Sequence, residues 1–390
     1  MTGGMCMKSL SVYIHIPFCV QKCVYCDFLS APANAEKRSQ YVAALKKEIE
    51  LNAEKYADNY GVTTIFFGGG TPSLLSAEDI ETILYSLKQK YNFRNGFDNT
   101  EITLEMNPGT ASLEKLIRLR YIGINRLSIG LQSANDDELK LLGRIHTYEQ
   151  FAQTYKWARQ AGFENINIDL MSALPGQNID SWINTLNKIV ELEPEHISAY
   201  SLIIEENTPL YDNLDKYPPL PDEENDRKMY QYTKKYLEQK GYFRYEISNY
   251  SKKGYECKHN TAYWIRDNYV GFGLGASSMV DNIRWRNKDN LDKYIELLHF
   301  NDIQSIKEDI DELSTNDCIE EYMFLGLRLM DGITVKGFKD CFGVEIDSIY
   351  RKQLEKWINE KMLEKNGDRI RLTEAGIDIS NVIFADFLLD

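Results

Sequence analysis

Six short runs rich in β-branched and apolar residues, at 12–16, 63–67, 101–106, 125–131, 165–170 and 196–203, alternate with longer amphipathic stretches. Strands spaced this way lie parallel, because a parallel neighbour needs a crossover of a dozen or more residues, usually a helix. Helical periodicity fills the gaps. Tyr41, Leu45 and Ile49 share one face of a stretch that runs to Tyr60, and Leu113, Leu116 and Leu119 share a face before Gly123. Six β/α alternations predict an α/β fold, either an open doubly wound sheet or a complete or partial barrel. A chain of 390 residues has room for a barrel and one smaller domain, since single cores usually stop growing near ~250 residues.

In such folds chemistry gathers at the C-terminal strand ends. The distinctive motifs follow that rule: Gly68-Gly-Gly-Thr-Pro72 closes the second run, Glu105-Met-Asn-Pro108 the third, Gln132-Ser133 the fourth and Leu174-Pro-Gly176 the fifth. Their registry predicts one shared site. Beyond the sixth run, Pro209, Pro218, Pro219 and Pro221 break the pattern, so 206–226 reads as a linker or excursion, with the acidic run 222–226 as a solvated face. A strand is expected at 242–248, then a loop leading to 259–264. From about residue 309, helices at 319–330 and 349–362 and a β-like pair near 369–372 suggest a winged-helix-like module.

The charge balance, 59 acidic against 45 basic residues for a net −14, disfavours nucleic acid as a partner. No run approaches the ~18 apolar residues of a membrane span. The opening residues, Met1 to Lys8, carry no apolar signal core, so a cytoplasmic location is expected.

The seven cysteines are odd in number, and Cys19, Cys23 and Cys26 fall within eight residues, so metal binding is expected over a disulfide framework. Their loop directly follows a strand, which lets the three thiols converge on one centre. Three thiolates can hold a four-iron, four-sulfur cube and leave one iron open. The same residues with His15 also suit a Cys₃His zinc site.

The stretch Tyr13-Ile-His15-Ile-Pro-Phe-Cys19-Val-Gln-Lys-Cys23-Val-Tyr25-Cys26-Asp-Phe28 resembles the cluster loop of radical S-adenosylmethionine (SAM) proteins. Within them it is most similar to the group of oxygen-independent coproporphyrinogen III oxidases and HemW-type haem chaperones. The resemblance implies a partial (β/α)6 TIM-like barrel over 1–220, a barrel extension over 221–305 and a C-terminal winged-helix-like domain over 306–390. It implies a [4Fe–4S] cluster on Cys19, Cys23 and Cys26 whose open iron takes the amino and carboxylate groups of SAM. An electron from the cluster then cleaves the sulfonium to a 5′-deoxyadenosyl radical, with the protein positioning and shielding the cofactor. Gly69, Gly70 and Thr71 match the glycine-rich segment near the SAM amino group, where a missing Cβ permits close backbone approach. Glu105, Gln132, Arg144 and Asp169 match polar SAM contacts, and Tyr13, Tyr25 and Ile203 match further cofactor-lining positions.

Two departures from the oxidases point to the chaperones. Phe28 stands where the oxidases carry a fourth cysteine, and only 18 residues precede Cys19, against a longer lead in the oxidases. His259-Asn-Thr-Ala-Tyr263-Trp264 matches the His-Asn-x-x-Tyr-Trp motif of the HemW-type chaperones. An imidazole can ligate haem iron, and adjacent aromatics offer flat apolar surface to the macrocycle. The resemblance thus implies a protein that binds a cluster, SAM and haem and hands haem to acceptor haem proteins, respiratory and membrane-bound ones among them. It implies homodimer formation and peripheral contact with the inner face of the membrane. The rival reading is a coproporphyrinogen III oxidase or another porphyrin-modifying radical enzyme; a zinc-stabilised binding protein is the third.

Other features read as structural. Gly271-x-Gly273-x-Gly275 lacks the spacing of a dinucleotide fingerprint and reads as a tight loop beside the barrel. Cys257, Cys318 and Cys341 read as buried or surface thiols, and Cys6 as part of a mobile tail. His146 is expected to shape the loop around Arg144, and His196 and His299 to be structural or exposed.

Overall fold

The computed structural model describes residues 7–389, so Cys6 lies outside the described residues. All six expected runs are strands: β1 (Lys8–Ile16), β2 (Tyr60–Gly69) with the two-residue β3 (Asn92–Phe93) beside it, β4 (Glu101–Met106), β5 (Arg126–Gln132), β6 (Ile166–Ser172) and β7 (His196–Ser201). They pair in parallel in the order β1-β2-β4-β5-β6-β7, each crossover made by helix, which is the partial barrel. Side chains alternate between the two faces with a period of two. The outward set, including Val12, Ile14, Ile65, Phe67, Ile102, Leu104, Leu127 and Ile129, is buried in the main hydrophobic core. Each such side chain contributes roughly 1.5–3 kcal/mol when fully buried. The inward set, polar apart from the Tyr13 and Phe66 rings, lines cavities in the lumen.

The sheet is wider than the sequence predicts. Antiparallel β9 (Asn249–Ser251) and β8 (Phe243–Arg244) extend it past β7. On the other side β10 (Tyr269–Phe272) lies parallel to β1, followed by the antiparallel strands β11 (Ser277–Val280), β12 (Ile283–Asn287) and β13 (Lys307–Glu312). The glycine triplet is therefore only partly the predicted loop, since Gly271 lies inside β10. A Cβ on Gly271 would meet the Ser277 carbonyl oxygen at 2.3 Å, so glycine here serves a close backbone approach.

One further expectation needs correction, and two segments gain detail. Residues 242–248 are not one strand: the chain reverses between β8 and β9, where the buried Glu246 carboxylate accepts from the Ser248 N–H and the Asn249 amide. Residues 259–264 belong to a helix, Lys258–Trp264. The excursion at 206–226 packs against the cluster loop, with the Leu210 N–H donating to the Val24 carbonyl at 2.9 Å. Its acidic run is exposed over 222–225, while Asp226 is half-buried and accepts from the Ser201 hydroxyl at 2.6 Å; the run also forms the first turn of the helix Glu223–Gln239, capped by Asp222, where negative charge complements the helix dipole.

A second hydrophobic core, built around Met323, Phe338, Tyr350, Trp357 and Ile370, holds the C-terminal module. The helices Thr315–Gly326, Val335–Phe342 and Ile346–Asn359 precede a hairpin of β15 (Leu363–Asn366) and β16 (Arg369–Leu372), which β14 (Ile333–Thr334) joins. The helix Val335–Phe342 has no counterpart in the sequence reading. Residues 221–305 share the barrel's own core. No helix among the described residues is long and apolar enough to cross a membrane.

Candidate cluster and cofactor site

The loop after β1 carries Cys19, Cys23 and Cys26, all free and half-buried. Backbone hydrogen bonds hold it. Cys19 N–H donates to the Ala31 carbonyl at 3.3 Å, Val24 N–H to Leu142 at 3.2 Å and Cys26 N–H to Cys23 at 3.2 Å. The three thiols line a cavity of about 300 Å³ at the C-terminal strand ends. The same cavity is lined by Tyr25, Gly69, Gly70, Glu105, Gln132, Arg144 and Asp169, so the structure brings together most of the residues singled out in the sequence.

Gly70 crosses directly behind the loop, its N–H donating to Ile16 at 2.9 Å, and a Cβ there would stand 2.7 Å from the Phe18 carbonyl oxygen. Thr71 continues the contact: its N–H donates to the Phe18 carbonyl at 2.7 Å, and its hydroxyl lies 3.5 Å from the Cys19 sulfur. Arg144 spans the opposite wall. It donates to the Cys23 sulfur at 3.5 Å, to Asn107 Oδ1 at 2.7 Å and to the Gly130 carbonyl. A planar guanidinium with several donors suits that bridging position. Gln132 sits at a register shift between β5 and β6 with φ 73°. The bulge re-aims its side chain, which accepts from the Tyr200 hydroxyl at 3.0 Å.

Two buried carboxyls sit deeper. Asp169 accepts from Asn167 at 2.7 Å and from Ser128 at 3.1 Å. Burial, and then the Asp169 charge, push the Glu105 carboxyl up to about 8, so it is largely protonated at neutral pH. Burial raises Asp169 too, against its hydrogen bonds.

Below them lies a second compartment of about 200 Å³, sharing Glu105, Ser128 and Asp169 with the first and floored by the helix Lys258–Trp264. His259 is 1 % exposed there. Its Nδ1 pairs with the Thr64 hydroxyl at 2.8 Å, its Nε2 with the Tyr263 hydroxyl at 3.0 Å, and its ring stacks on Phe66 at 5.0 Å. Burial, then the Arg126 charge, push its pKa down to about 3, so the ring is neutral. Trp264 points away to the C-terminal module, under the Arg328 guanidinium at 4.5 Å. In this arrangement neither His259 nitrogen is open to an iron, and the compartment falls below the roughly 300–1,000 Å³ of ordinary small-molecule sites.

Tyr13 lines this lower compartment rather than the thiol cavity, its hydroxyl 3.0 Å from His15 Nδ1. Ile203 is 70 % exposed, past the end of β7. His15 lies behind the loop with its Nε2 2.9 Å from the Leu29 carbonyl oxygen and its Nδ1 on the Tyr13 hydroxyl. Both imidazole nitrogens are thus committed away from the thiols, which leaves the Cys₃His zinc arrangement without its fourth ligand. His146 is buried, 3.3 Å from the Leu131 carbonyl; His196 is buried between Asn167 and Tyr245, and His299 is exposed. Cys257 and Cys318 are buried and Cys341 exposed. Sequence reasoning missed Asn107, Ser128, Tyr200 and Arg126. For Asn107 a signal existed, since it follows Glu105 at the same strand end.

The donor set fits an iron–sulfur cube with an open corner: three thiols around one cavity, a glycine wall and a polar pocket adjoining. Comparison with known proteins defines the class. A family profile described as the radical SAM superfamily matches residues 13–189, and one described as the HemN C-terminal domain matches 313–379. The chain is similar in structure to the coproporphyrinogen III oxidase HemN of Escherichia coli, a radical SAM enzyme, with a TM-score of 0.85 at 23% identity over 99% of this chain and 91% of that one. That likeness establishes the fold.

The sequence narrows the class further. The chain is 36% identical to heme chaperone HemW of Lactococcus lactis over 99% of both chains. It is also 36% identical to heme chaperone HemW of Bacillus subtilis, over 97% of this chain and 99% of that protein. The chain belongs to the HemW family of radical SAM proteins.

Proposed function

We propose that the protein is a haem chaperone that carries a [4Fe–4S] cluster and SAM, binds haem as cargo and delivers it to acceptor haem proteins. The observation that carries this reading is the end-to-end likeness to HemW chaperones, joined to a thiol loop in which Phe28 replaces a fourth cysteine. Cys19, Cys23 and Cys26 would hold the cluster, which when bound supplies an open iron and an electron to SAM. Gly69, Gly70 and Thr71 leave room for the amino-acid end of SAM, while Glu105, Gln132, Arg144 and Asp169 offer it donors and acceptors. Tyr25 shields one side of that cavity, and Tyr13 and Ile203 stand as its more distant contacts.

His259, Tyr263 and Trp264 are the proposed haem contacts. Haem ligation through His259 requires the helix Lys258–Trp264 to leave the floor, freeing Nε2 from Tyr263. Acceptors at the inner face of the membrane, a cytoplasmic location and a homodimer belong to the same proposal. The test is haem titration of cluster-loaded protein, followed in the Soret band, beside a His259→Ala variant. Stoichiometric binding by the wild type that the variant loses is expected. Absence of binding by the wild type overturns the chaperone reading, and unchanged binding by the variant removes His259 as a ligand. The oxidase alternative is tested by anaerobic incubation with SAM, reductant and coproporphyrinogen III, in which no protoporphyrinogen is expected.

A further inference from the structure

Arg126 opens β5 and points into the lumen, where it lines the lower compartment at 2 % exposure. Among the described residues its side chain makes no hydrogen bond and no ion pair, and its Nε has no partner. The nearby Glu101 and Asp169 carboxylates act on its charge through space against the cost of burial, yet a buried guanidinium whose donors meet no acceptor still leaves hydrogen bonds unmade. The neighbouring carboxylates are already engaged. Glu101 accepts from the Lys258 N–H at 3.2 Å, the His259 N–H at 3.1 Å and the Cys257 thiol at 3.8 Å. Asp169 accepts from Asn167 and Ser128. Each acts on Arg126 through its charge, and neither accepts a hydrogen bond from it.

Besides the Asp169 carboxylate, which Asn167 and Ser128 already engage, the wall offers hydrogen-bonding groups in the Tyr13 and Tyr263 hydroxyls, Ser198, Asn260 and Glu105. Glu105, protonated near neutral pH, offers a donor there and not a second negative charge. At about 30 Å³ per water, a volume of 200 Å³ holds on the order of six waters or one short carboxylic acid, and no macrocycle.

We propose that this compartment is a binding site for a single carboxylate group, with Arg126 as its counter-ion. The group enters from the thiol cavity above, which shares three lining residues. Its source is either a side-chain carboxylate of a tetrapyrrole or a free small acid. The site itself does not depend on the haem reading; only the first source does.

The test uses the full, cluster-loaded chain under anaerobic conditions and sodium propionate as probe, titrated calorimetrically against sodium chloride of equal ionic strength. Saturable binding is expected, weakened at least about tenfold in Arg126→Gln, the size of a lost charge-assisted hydrogen bond, and partly kept in Arg126→Lys. Saturating SAM added after the propionate should leave it in place. No saturable propionate binding by the wild type overturns the proposal without recourse to a variant. Displacement of propionate by SAM also overturns it, by assigning the compartment to the SAM site. Haem against haem dimethyl ester then separates the sources: a preference for haem that Arg126→Gln abolishes identifies the tetrapyrrole side chain, and equal binding identifies the free acid. Failure of haem to bind at all counts against the chaperone reading while the propionate result stands.

Discussion

At the mouth of the barrel the chain leaves three thiols half exposed on a loop pinned by backbone hydrogen bonds. At the floor it buries an imidazole on a helix fixed by a carboxylate, a hydroxyl and a phenol. The mouth's side chains are thereby free to take ligands, and replacing one costs the fold little. The floor's side chains are consumed by the fold itself, so replacing one costs stability first. The same lumen thus holds a site ready for a cofactor above and a closed site below.

The largest effect separates the two ends outright. Cys23→Ser should reduce iron and sulfide uptake to background while unfolding stability stays within about 1 kcal/mol of wild type, as for a surface change. A large loss of stability would place the loop within the core.

Glu101→Ala should act in the opposite sense. It removes the acceptor for two N–H groups of the floor helix, at a cost of about 1–3 kcal/mol for buried donors left unmet. Hydrogen exchange at 258–264 should accelerate while iron content is unchanged.

The two ends also respond to pH with opposite signs. His259 is held down to about 3, so between that value and its ordinary one near ~6.5 the unfolded chain binds more protons, and stability falls as pH falls. Glu105 is held up to about 8, so from its ordinary value near ~4.3 the folded chain binds more protons, and stability falls as pH rises. Each group contributes a slope of up to about 1.4 kcal/mol per pH unit. Glu48, buried behind the sheet and pushed up to about 7, adds to the second trend. In denaturant melts, His259→Gln should flatten the acid limb and Glu105→Gln the limb from pH 5 to 8. The smallest effect is expected at Ile203: with 70 % of the residue exposed, Ile203→Ala should change SAM affinity under about twofold, as for an isolated surface apolar residue.

The mouth was legible in the sequence for a local reason. Its residues sit at successive strand ends, and the periodicity that reveals the strands places Gly70, Glu105, Gln132 and Asp169 together. The floor was not. The helix Lys258–Trp264 takes its N-terminal acceptor from Glu101, more than 150 residues away, so no local capping signal marks it. β10 was hidden because Gly271 suggests a loop until the Ser277 backbone is seen against it. Arg126 carries no motif at the start of its strand; only closure of the barrel buries it. The excursion at 206–226 is tied to the cluster loop by one backbone hydrogen bond, which composition cannot announce.

The most direct test of the mouth as a cluster site is anaerobic reconstitution of the full chain with iron and sulfide, followed by metal and sulfide analysis and a visible spectrum. The account predicts a brown protein with about four iron and four sulfide per chain, lost on Cys23→Ser. A colourless protein holding zinc or no metal would contradict it.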